Sequence, residues 1–323
     1  MPNDHFSPSS PPPSDVAQGV PSGPVPAVSR LVSTPAGGLD TVSNAGVGKS
    51  ADAAGTSACA TSCARDFLRA KTERRKLSMV TCYDYTFARL LSKSAIDGIL
   101  VGDSAAMVMH GHASTLSASV ELMRLHTEAV VRGAGGKFVV ADMPFLSFRK
   151  GLPAGLDAAH VLMTAGANAV KLEGVDGHED VIQRLVQSGV PVMGHLGLQP
   201  QSVHAYGGFR VQGRSDDSAR ETARRAMALE ELGAFAIVLE CVPADLARQI
   251  TEPLRIPSIG IGAGAGCDGQ ILVLQDLLGM NLDFHPKFAR PFVDGARSVL
   301  DAVAHFDEEV KAGTFPATGE SYS

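Results

Sequence analysis

The feature that most constrains this chain is a repeated alternation of two kinds of segment. Short apolar, β-branched runs recur at 77–81, 98–101, 138–141, 169–172, 192–194, 236–239, 258–261 and 270–273. Segments of helical character lie between most of them, at 84–93, 119–132, 156–164, 178–188 and 217–232. Near-continuous apolar strands separated by helices imply parallel strands buried on both faces. About eight such units in about 250 residues is the size and count of a (β/α)8 TIM barrel. A doubly wound open sheet is the competing arrangement. The last unit is the weakest, because 269–278 leaves little room for both a strand and a helix. Beyond it, Ala296, Val299, Leu300, Val303, Phe306 and Val310 share one face of an expected helix over 294–310, which therefore needs something to dock on.

The stretch before the alternation is different. Residues 1–64 hold 9 of the 19 prolines, and Phe6 is their only aromatic. Such a Pro/Ser/Gly-rich segment buries too little surface to offset its ordering entropy, and a disordered N-terminal extension is expected. Its basic residues, Arg30 and Lys49, are outnumbered by Asp4, Asp15, Asp40 and Asp52, which is wrong for a transit peptide. The expected division is therefore a tail, 1–64, and one catalytic barrel domain, 65–323.

Composition narrows the functional classes. The chain carries 28 Lys+Arg against 34 Asp+Glu, a net charge of −6, which disfavours nucleic acid as a partner. No apolar run reaches the ~18 residues needed to cross a bilayer, so no membrane partner is expected. Five widely spaced cysteines fit a reducing, cytoplasmic compartment better than a disulfide framework. Cys59 and Cys63 form a CxxxC without a second ligand pair, read as two free thiols.

The polar residues at the strand ends carry the functional reading. Gly102-Asp103-Ser104 follows the second strand and Asp142 the third; Lys171 lies in the fourth, which ends at Glu173; His195 follows the fifth and Glu240 the sixth. In a barrel these positions lie on the C-terminal rim, where active sites are built. Helix capping explains an Asp or a Ser at such places. It does not explain Lys171 inside an apolar strand, or Glu240 directly after Ala236-Ile237-Val238-Leu239. Lys171 and Glu173 are two apart and face the same side. Carboxylates converging there repel one another unless a cation or a shared proton relieves them. Hard oxygen ligands without clustered His or Cys favour Mg²⁺ or a similar ion over Zn²⁺.

Other features are weaker. The glycine-rich run 260–266 offers a phosphate cradle or, more simply, close backbone approach. His110 and His112 lie in a loop. Cys82 and Cys241 border the rim without an activating neighbour in sequence.

The same residues carry a resemblance. Thr81-Cys82-Tyr83-Asp84-Tyr85, Val101-Gly102-Asp103-Ser104, Val140-Ala141-Asp142-Met143-Pro144-Phe145 and Val170-Lys171-Leu172-Glu173-Gly174 resemble motifs of the ketopantoate hydroxymethyltransferase family. So do Met193-Gly194-His195-Leu196-Gly197-Leu198-Gln199-Pro200-Gln201-Ser202, Val211-Gln212-Gly213-Arg214, Leu239-Glu240-Cys241-Val242-Pro243 and Ile259-Gly260-Ile261-Gly262-Ala263-Gly264. The ordered set runs from about residue 72 to about 290. The resemblance implies a (β/α)8 barrel using Mg²⁺ and 5,10-methylenetetrahydrofolate as co-substrate to convert 3-methyl-2-oxobutanoate to 2-dehydropantoate, the first step of pantothenate synthesis, through a metal-stabilised enolate. By the same resemblance, Asp103, Asp142 and Glu173 match metal ligands. Ser104 and Lys171, with Asp103 and Asp142, match keto-acid contacts. Glu240 matches the proton acceptor, and His195 an active-site histidine. The resemblance further implies a homodecamer, a pentamer of dimers, with the C-terminal helix in oligomer contacts, and folate entry past a wall at 199–214. The chain departs from the family pattern at Ala105-Ala106, Ala113 and Val175.

Two other classes remain in view: a Mg²⁺-dependent C–C lyase of the phosphoenolpyruvate mutase/isocitrate lyase type, which a catalytic loop cysteine would favour, and a catalytically dead barrel kept for binding.

Overall fold

The computed structural model describes residues 63–282 and 286–322. Residues 1–62 of the expected tail, Cys59 included, lie outside the described residues. Cys63 and Ala64 do not belong to a tail. Cys63 caps α1, Ala64–Thr72, with its N–H on Asp66 Oδ2 at 3.0 Å. The sequence reading did not anticipate this helix. Phe67 and Ala70 are its two fully buried residues, too sparse a pattern to announce an amphipathic face.

The strands are β1 Leu77–Thr81, β2 Gly98–Val101, β3 Phe138–Asp142, β4 Ala169–Glu173, β5 Val192–Gly197, β6 Ala236–Glu240, β7 Ser258–Ile261 and β8 Gly269–Leu272. All pair in parallel in chain order, and β1 pairs with β8, so the sheet closes into a TIM barrel. The open doubly wound sheet is thereby excluded. The helices after α1 are α2 Tyr85–Leu91, α3 Ala105–Val108, α4 Val120–Gly133, α5 Leu152–Thr164, α6 Glu179–Gln187, α7 Val203–Tyr206, α8 Asp216–Glu231, α9 Ala244–Thr251, α10 Leu274–Leu277 and α11 Gly295–Ala312. Side-chain caps fix several starts: Asp84 for α2, Ser119 for α4, Ser215 for α8 and Asp294 for α11. The cramped last unit holds both of its elements by reducing α10 to one turn.

Each strand alternates between two cores. Ile99, Val101, Val139, Ala141, Val170, Leu172 and Leu196 face the helix layer. Leu77, Met79, Leu100, Phe138, Val140, Ala169, Met193, Ala236, Val238, Ile259 and Ile271 fill the barrel axis, together with Phe67 of α1. The Phe67 ring lies 5.1 Å from that of Phe138 and 5.4 Å from that of Phe235, so α1 closes the N-terminal end of the barrel. Two residues further along the same inward rows come Asp142 after Val140, Lys171 after Ala169, His195 after Met193 and Glu240 after Val238.

The C-terminal helix forms where expected but does not pack on its own barrel. None of its residues is buried, and Val299, Leu300, Val303, Phe306 and Val310 are 46–60% exposed. No helix among the described residues is long and apolar enough to cross a membrane.

Candidate active site

Asp142, Glu173 and Glu240 are the last residues of β3, β4 and β6, and His195 lies within β5. The sequence reading set most of them just beyond the strands. The correction has a simple cause: a charged side chain ends an apolar run in sequence, but an inward-facing charge at a barrel rim does not end the ladder. Glu173 stands beside His195 in register, and Asp142 beside Lys171.

Lys171 is the centre of the site. Its Nζ lies 2.8 Å from Asp142 Oδ1 and 3.3 Å from His195 Nδ1. Burial opposes the Lys171 charge, but Asp142, Asp103 and Glu173 outweigh it and raise its pKa, so the side chain is an ammonium ion. Asp142 Oδ2 accepts the Asp103 backbone N–H at 3.0 Å. Asp103 is only 4% exposed. Its pKa is raised well above the carboxylate range, by burial first and then by repulsion from Asp142 and Glu173.

His195 bridges two acids. Nδ1 is 3.4 Å from Glu173 Oε1 and Nε2 is 3.1 Å from Glu240 Oε2. Nδ1 can accept from Lys171 only when it carries no proton, and two flanking carboxylates favour the protonated ring. Burial and Lys171 oppose protonation, yet hydrogen bonding to Glu173 and Glu240 prevails and lifts the imidazole to about 9. The Glu240 side chain is the most open of these acids, at 17% exposure. Its position is held by backbone on both sides. Cys241 takes a left-handed φ of 48°, donates its N–H to Ile261 O at 2.9 Å and accepts from Gln212 N–H at 3.0 Å. Gly197, at φ 91°, lies so close that a Cβ would stand 2.2 Å from Glu240 O, so only glycine fits there.

The structure thus brings Asp103, Asp142, Lys171, Glu173, His195 and Glu240 into one contact network at the rim. Ser104 joins through its hydroxyl, 2.8 Å from Tyr83 OH. Three further residues take part that the sequence reading did not single out. Tyr83, buried in the loop just past β1, holds Ser104; burial keeps it a neutral phenol. Arg149 donates to Glu173 O at 2.8 Å. Gln201 donates its side-chain amide to Asp103 Oδ2 at 2.9 Å and its backbone N–H to Glu173 Oε2 at 3.0 Å. Tyr83 and Gln201 lie in motifs quoted above and Arg149 lies outside them, but a neutral or solvated side chain after a strand gives no signal of its own.

Four carboxylates face one ammonium and one imidazole, and Asp103 is held above its ordinary pKa by its neighbours. That surplus of buried hard oxygen donors fits a small divalent cation. The side chains do not form a ready-made cage: among the described residues no three His, Cys, Asp or Glu side chains converge as a ligand cluster. Asp142 is turned to Lys171, Asp103 to Gln201, and Glu173 to Gln201 and His195.

The weaker candidates resolve differently. In the glycine run, a Cβ on Gly264 would meet the Ala244 Cβ at 2.5 Å, and one on Gly266 the Arg248 Cβ at 2.9 Å, so these glycines let the loop pack against α9. His110 is exposed and pairs with His126 at 2.9 Å. Burial pushes the Cys82 thiol up to about 11 and the Cys241 thiol up to about 12, so neither is a ready thiolate. The four described cysteines, Cys63, Cys82, Cys241 and Cys267, are all free. Ala106 and Val175, at departures from the family pattern, are buried in packing, while Ala113 is exposed.

Fold and site together define a (β/α)8 barrel enzyme with a buried, acid-rich cluster at its C-terminal rim. Residues 62–318 match the profile of the family described as ketopantoate hydroxymethyltransferase. The chain belongs to that family, whose members are transferases. Relatives called 3-methyl-2-oxobutanoate hydroxymethyltransferase include one from Bdellovibrio bacteriovorus, 55% identical over 258 residues, 80% of this chain and 98% of the relative. One from Coxiella burnetii is 53% identical over 252 residues, 78% of this chain and 95% of the relative. Among solved structures, phosphonopyruvate hydrolase complexed with oxalate and Mg²⁺ matches with a TM-score of 0.52 at 14% identity, over 80% of this chain and 91% of that one. A 2,3-dimethylmalate lyase of the phosphoenolpyruvate mutase/isocitrate lyase superfamily matches at 0.51 and 17% identity, over 80% and 91%. At such identities the likeness concerns the fold alone.

Proposed function

We propose that this chain transfers a hydroxymethyl group from 5,10-methylenetetrahydrofolate to 3-methyl-2-oxobutanoate, giving 2-dehydropantoate, the first step of pantothenate formation. The observation that carries this reading is the Glu240–His195–Glu173 series beside the Lys171–Asp142 pair, buried at one rim and reachable at Glu240. The relatives' shared name supplies the substrate.

The chemistry needs a keto acid held at its oxygens and a base at C3. Asp103, Asp142 and Glu173 would hold Mg²⁺, which when bound supplies Lewis-acid polarisation of the keto acid. Lys171 sets a positive charge beside the keto-acid oxygens, and Ser104, fixed by Tyr83, offers a hydroxyl. Glu240 takes the C3 proton on its carboxylate. His195 Nε2 stands 3.1 Å from Glu240 Oε2, so a protonated ring holds that carboxylate beside it by charge. The C3 carbon then forms the new C–C bond to the folate one-carbon unit; water supplies the hydroxyl oxygen and both C–N bonds to that carbon break, releasing tetrahydrofolate, with the segment 199–214 as one wall of the entrance.

The exposed apolar face of α11 is read as a contact between copies, consistent with a homodecamer. A cytoplasmic location agrees with the free cysteines. The test is carbon NMR of 3-methyl-2-oxobutanoate with 5,10-methylenetetrahydrofolate and enzyme. The reading requires Mg²⁺-dependent appearance of the new hydroxymethyl carbon. Turnover of neither substrate by folded protein contradicts it.

A further inference from the structure

Gln201 sits in the turn Pro200–Ser202 that follows β5, and it is only 7% exposed. It is a neutral amide among mostly charged side chains. Its Nε2 donates to two acceptors, Asp103 Oδ2 at 2.9 Å and Met143 O at 3.0 Å. Its backbone N–H donates to Glu173 Oε2 at 3.0 Å. One residue therefore touches groups from the ends of β2, β3 and β4. The amide orientation is dictated by these partners, because a flipped side chain would set Oε1 against a carboxylate and a carbonyl.

A packing role needs none of this. A glutamine that merely fills space does not aim every available hydrogen at acceptors, two of them carboxylates of one buried site. The arrangement engages one oxygen of Asp103 and one of Glu173. It also ties the site to the chain that follows. After Gln201 come the short helix α7 and a segment of irregular backbone, 207–214, in which Gly207 and Gly208 have φ of 64° and 116°. Phe209 in that segment is 52% exposed. The neighbouring Gln199 reaches back to His195 O at 3.4 Å and accepts from Tyr206 OH at 3.4 Å. The root of the segment is thus fastened to the acids, while its outer part faces solvent.

We infer that Gln201 is a positioning residue of the reaction: it sets the Asp103 and Glu173 carboxylates for a divalent cation, and through the same bonds couples filling of that site to the order of residues 199–214. The inference rests on the reading of the rim as a Mg²⁺ and keto-acid site. Residues that orient metal-binding carboxylates typically change metal affinity by ~10–100-fold when removed. A segment held at its root by those carboxylates will change its local opening when the carboxylates change partners.

The experiment uses the full-length protein with Mg²⁺ and 3-methyl-2-oxobutanoate as probes. Amide hydrogen exchange of the wild type is recorded with and without both, and titration calorimetry gives the Mg²⁺ affinity of wild type and Gln201→Met. The substitution keeps the volume and the backbone N–H but removes both side-chain donors. The inference requires slower exchange across 199–214 in the liganded wild type. It also requires ~10–100-fold weaker Mg²⁺ binding by Gln201→Met, with loss of that protection even at saturating Mg²⁺. Unchanged affinity and unchanged protection in a folded Gln201→Met, whatever its thermal stability, overturn it. If that variant does not fold, the wild-type arm decides: no exchange response in 199–214 on binding overturns it equally. Mg²⁺-dependent loss of the substrate C3–H signal in D2O by the wild type separates the two levels. If that occurs while the arms above fail, only the coupling is wrong; if it is absent, the functional reading and the inference both fall.

Discussion

The two ends of this barrel are built from the same strands by opposite rules. At the N-terminal end, inward positions hold Leu77, Phe138, Ala169 and Ala236, closed by Phe67 of α1. At the C-terminal end the same rows hold Asp142, Lys171, Glu173, His195 and Glu240. The floor is apolar and free of charge conflict. The rim buries like charges together, holds Asp103 above its ordinary pKa and keeps Cys241 at a left-handed φ of 48°. Strain and repulsion concentrated at one end, on a scaffold stabilised at the other, is the arrangement expected when a site is organised for chemistry at the expense of stability. The difference teaches that a strand's inward row is not one environment: position along the row decides whether a residue meets an apolar core or a cluster of charges.

The sharpest way to break this comparison is to remove the cation of the rim. Lys171→Met leaves Asp142 and Asp103 buried without their compensating charge and should cost about 3–5 kcal/mol at neutral pH, along with keto-acid binding. Because the loss is electrostatic, it should shrink in denaturant titrations as the pH is lowered and the acids are neutralised. An equal loss at low and neutral pH would mean that Lys171 contributes packing rather than charge. Phe67→Ala is the counterpart at the floor. A cavity there should also cost about 3–5 kcal/mol. The loss should be insensitive to pH, and the folded fraction should keep its kcat. A large fall in kcat at full folding would show that the two ends are not separable.

A smaller effect comes from His195. Its folded pKa, about 9, lies above the ordinary 6.5. Its contribution is therefore fully present below the unfolded pKa and is lost as pH rises through about 9. In Mg²⁺-free buffer this amounts to on the order of 3 kcal/mol, and His195→Gln should flatten the decline. The smallest expected effect has the opposite sign. Asp103→Asn removes one like charge from the cluster and should raise Tm without Mg²⁺, by about 1 kcal/mol in stability, while weakening Mg²⁺ binding. A lower Tm would show that the Asp103 charge is better compensated than its neighbours suggest.

Much of this was legible in the sequence, for physical reasons that also mark where legibility ends. The barrel followed from the spacing of buried strands, and the rim acids from charges that interrupt apolar runs. The sequence pattern stops short of the true strand ends at Asp142, His195 and Glu240 because a charge looks like a stop, whereas the ladder continues beneath inward-facing groups. Helix α1 was missed because its docking face reduces to Phe67 and Ala70, and what it docks on, Phe138 and Phe235, is distant in sequence. Gln201 was invisible for the same reason: its role lies in three acceptors on three strand ends, and a glutamine after a strand announces none of them. The face of α11 was legible, but its expected partner is not its own barrel.

In the proposed reaction Glu240, with His195 beside it, removes the C3 proton of the keto acid. Proton NMR of 3-methyl-2-oxobutanoate in D2O tests it most directly, with Mg²⁺ and either wild type or Glu240→Gln. Enzyme- and Mg²⁺-dependent loss of the C3–H signal is expected with wild type, slowed by ~10²–10⁴-fold in Glu240→Gln while Mg²⁺-dependent keto-acid binding persists. Rapid exchange by Glu240→Gln would remove Glu240 as the base and contradict the account.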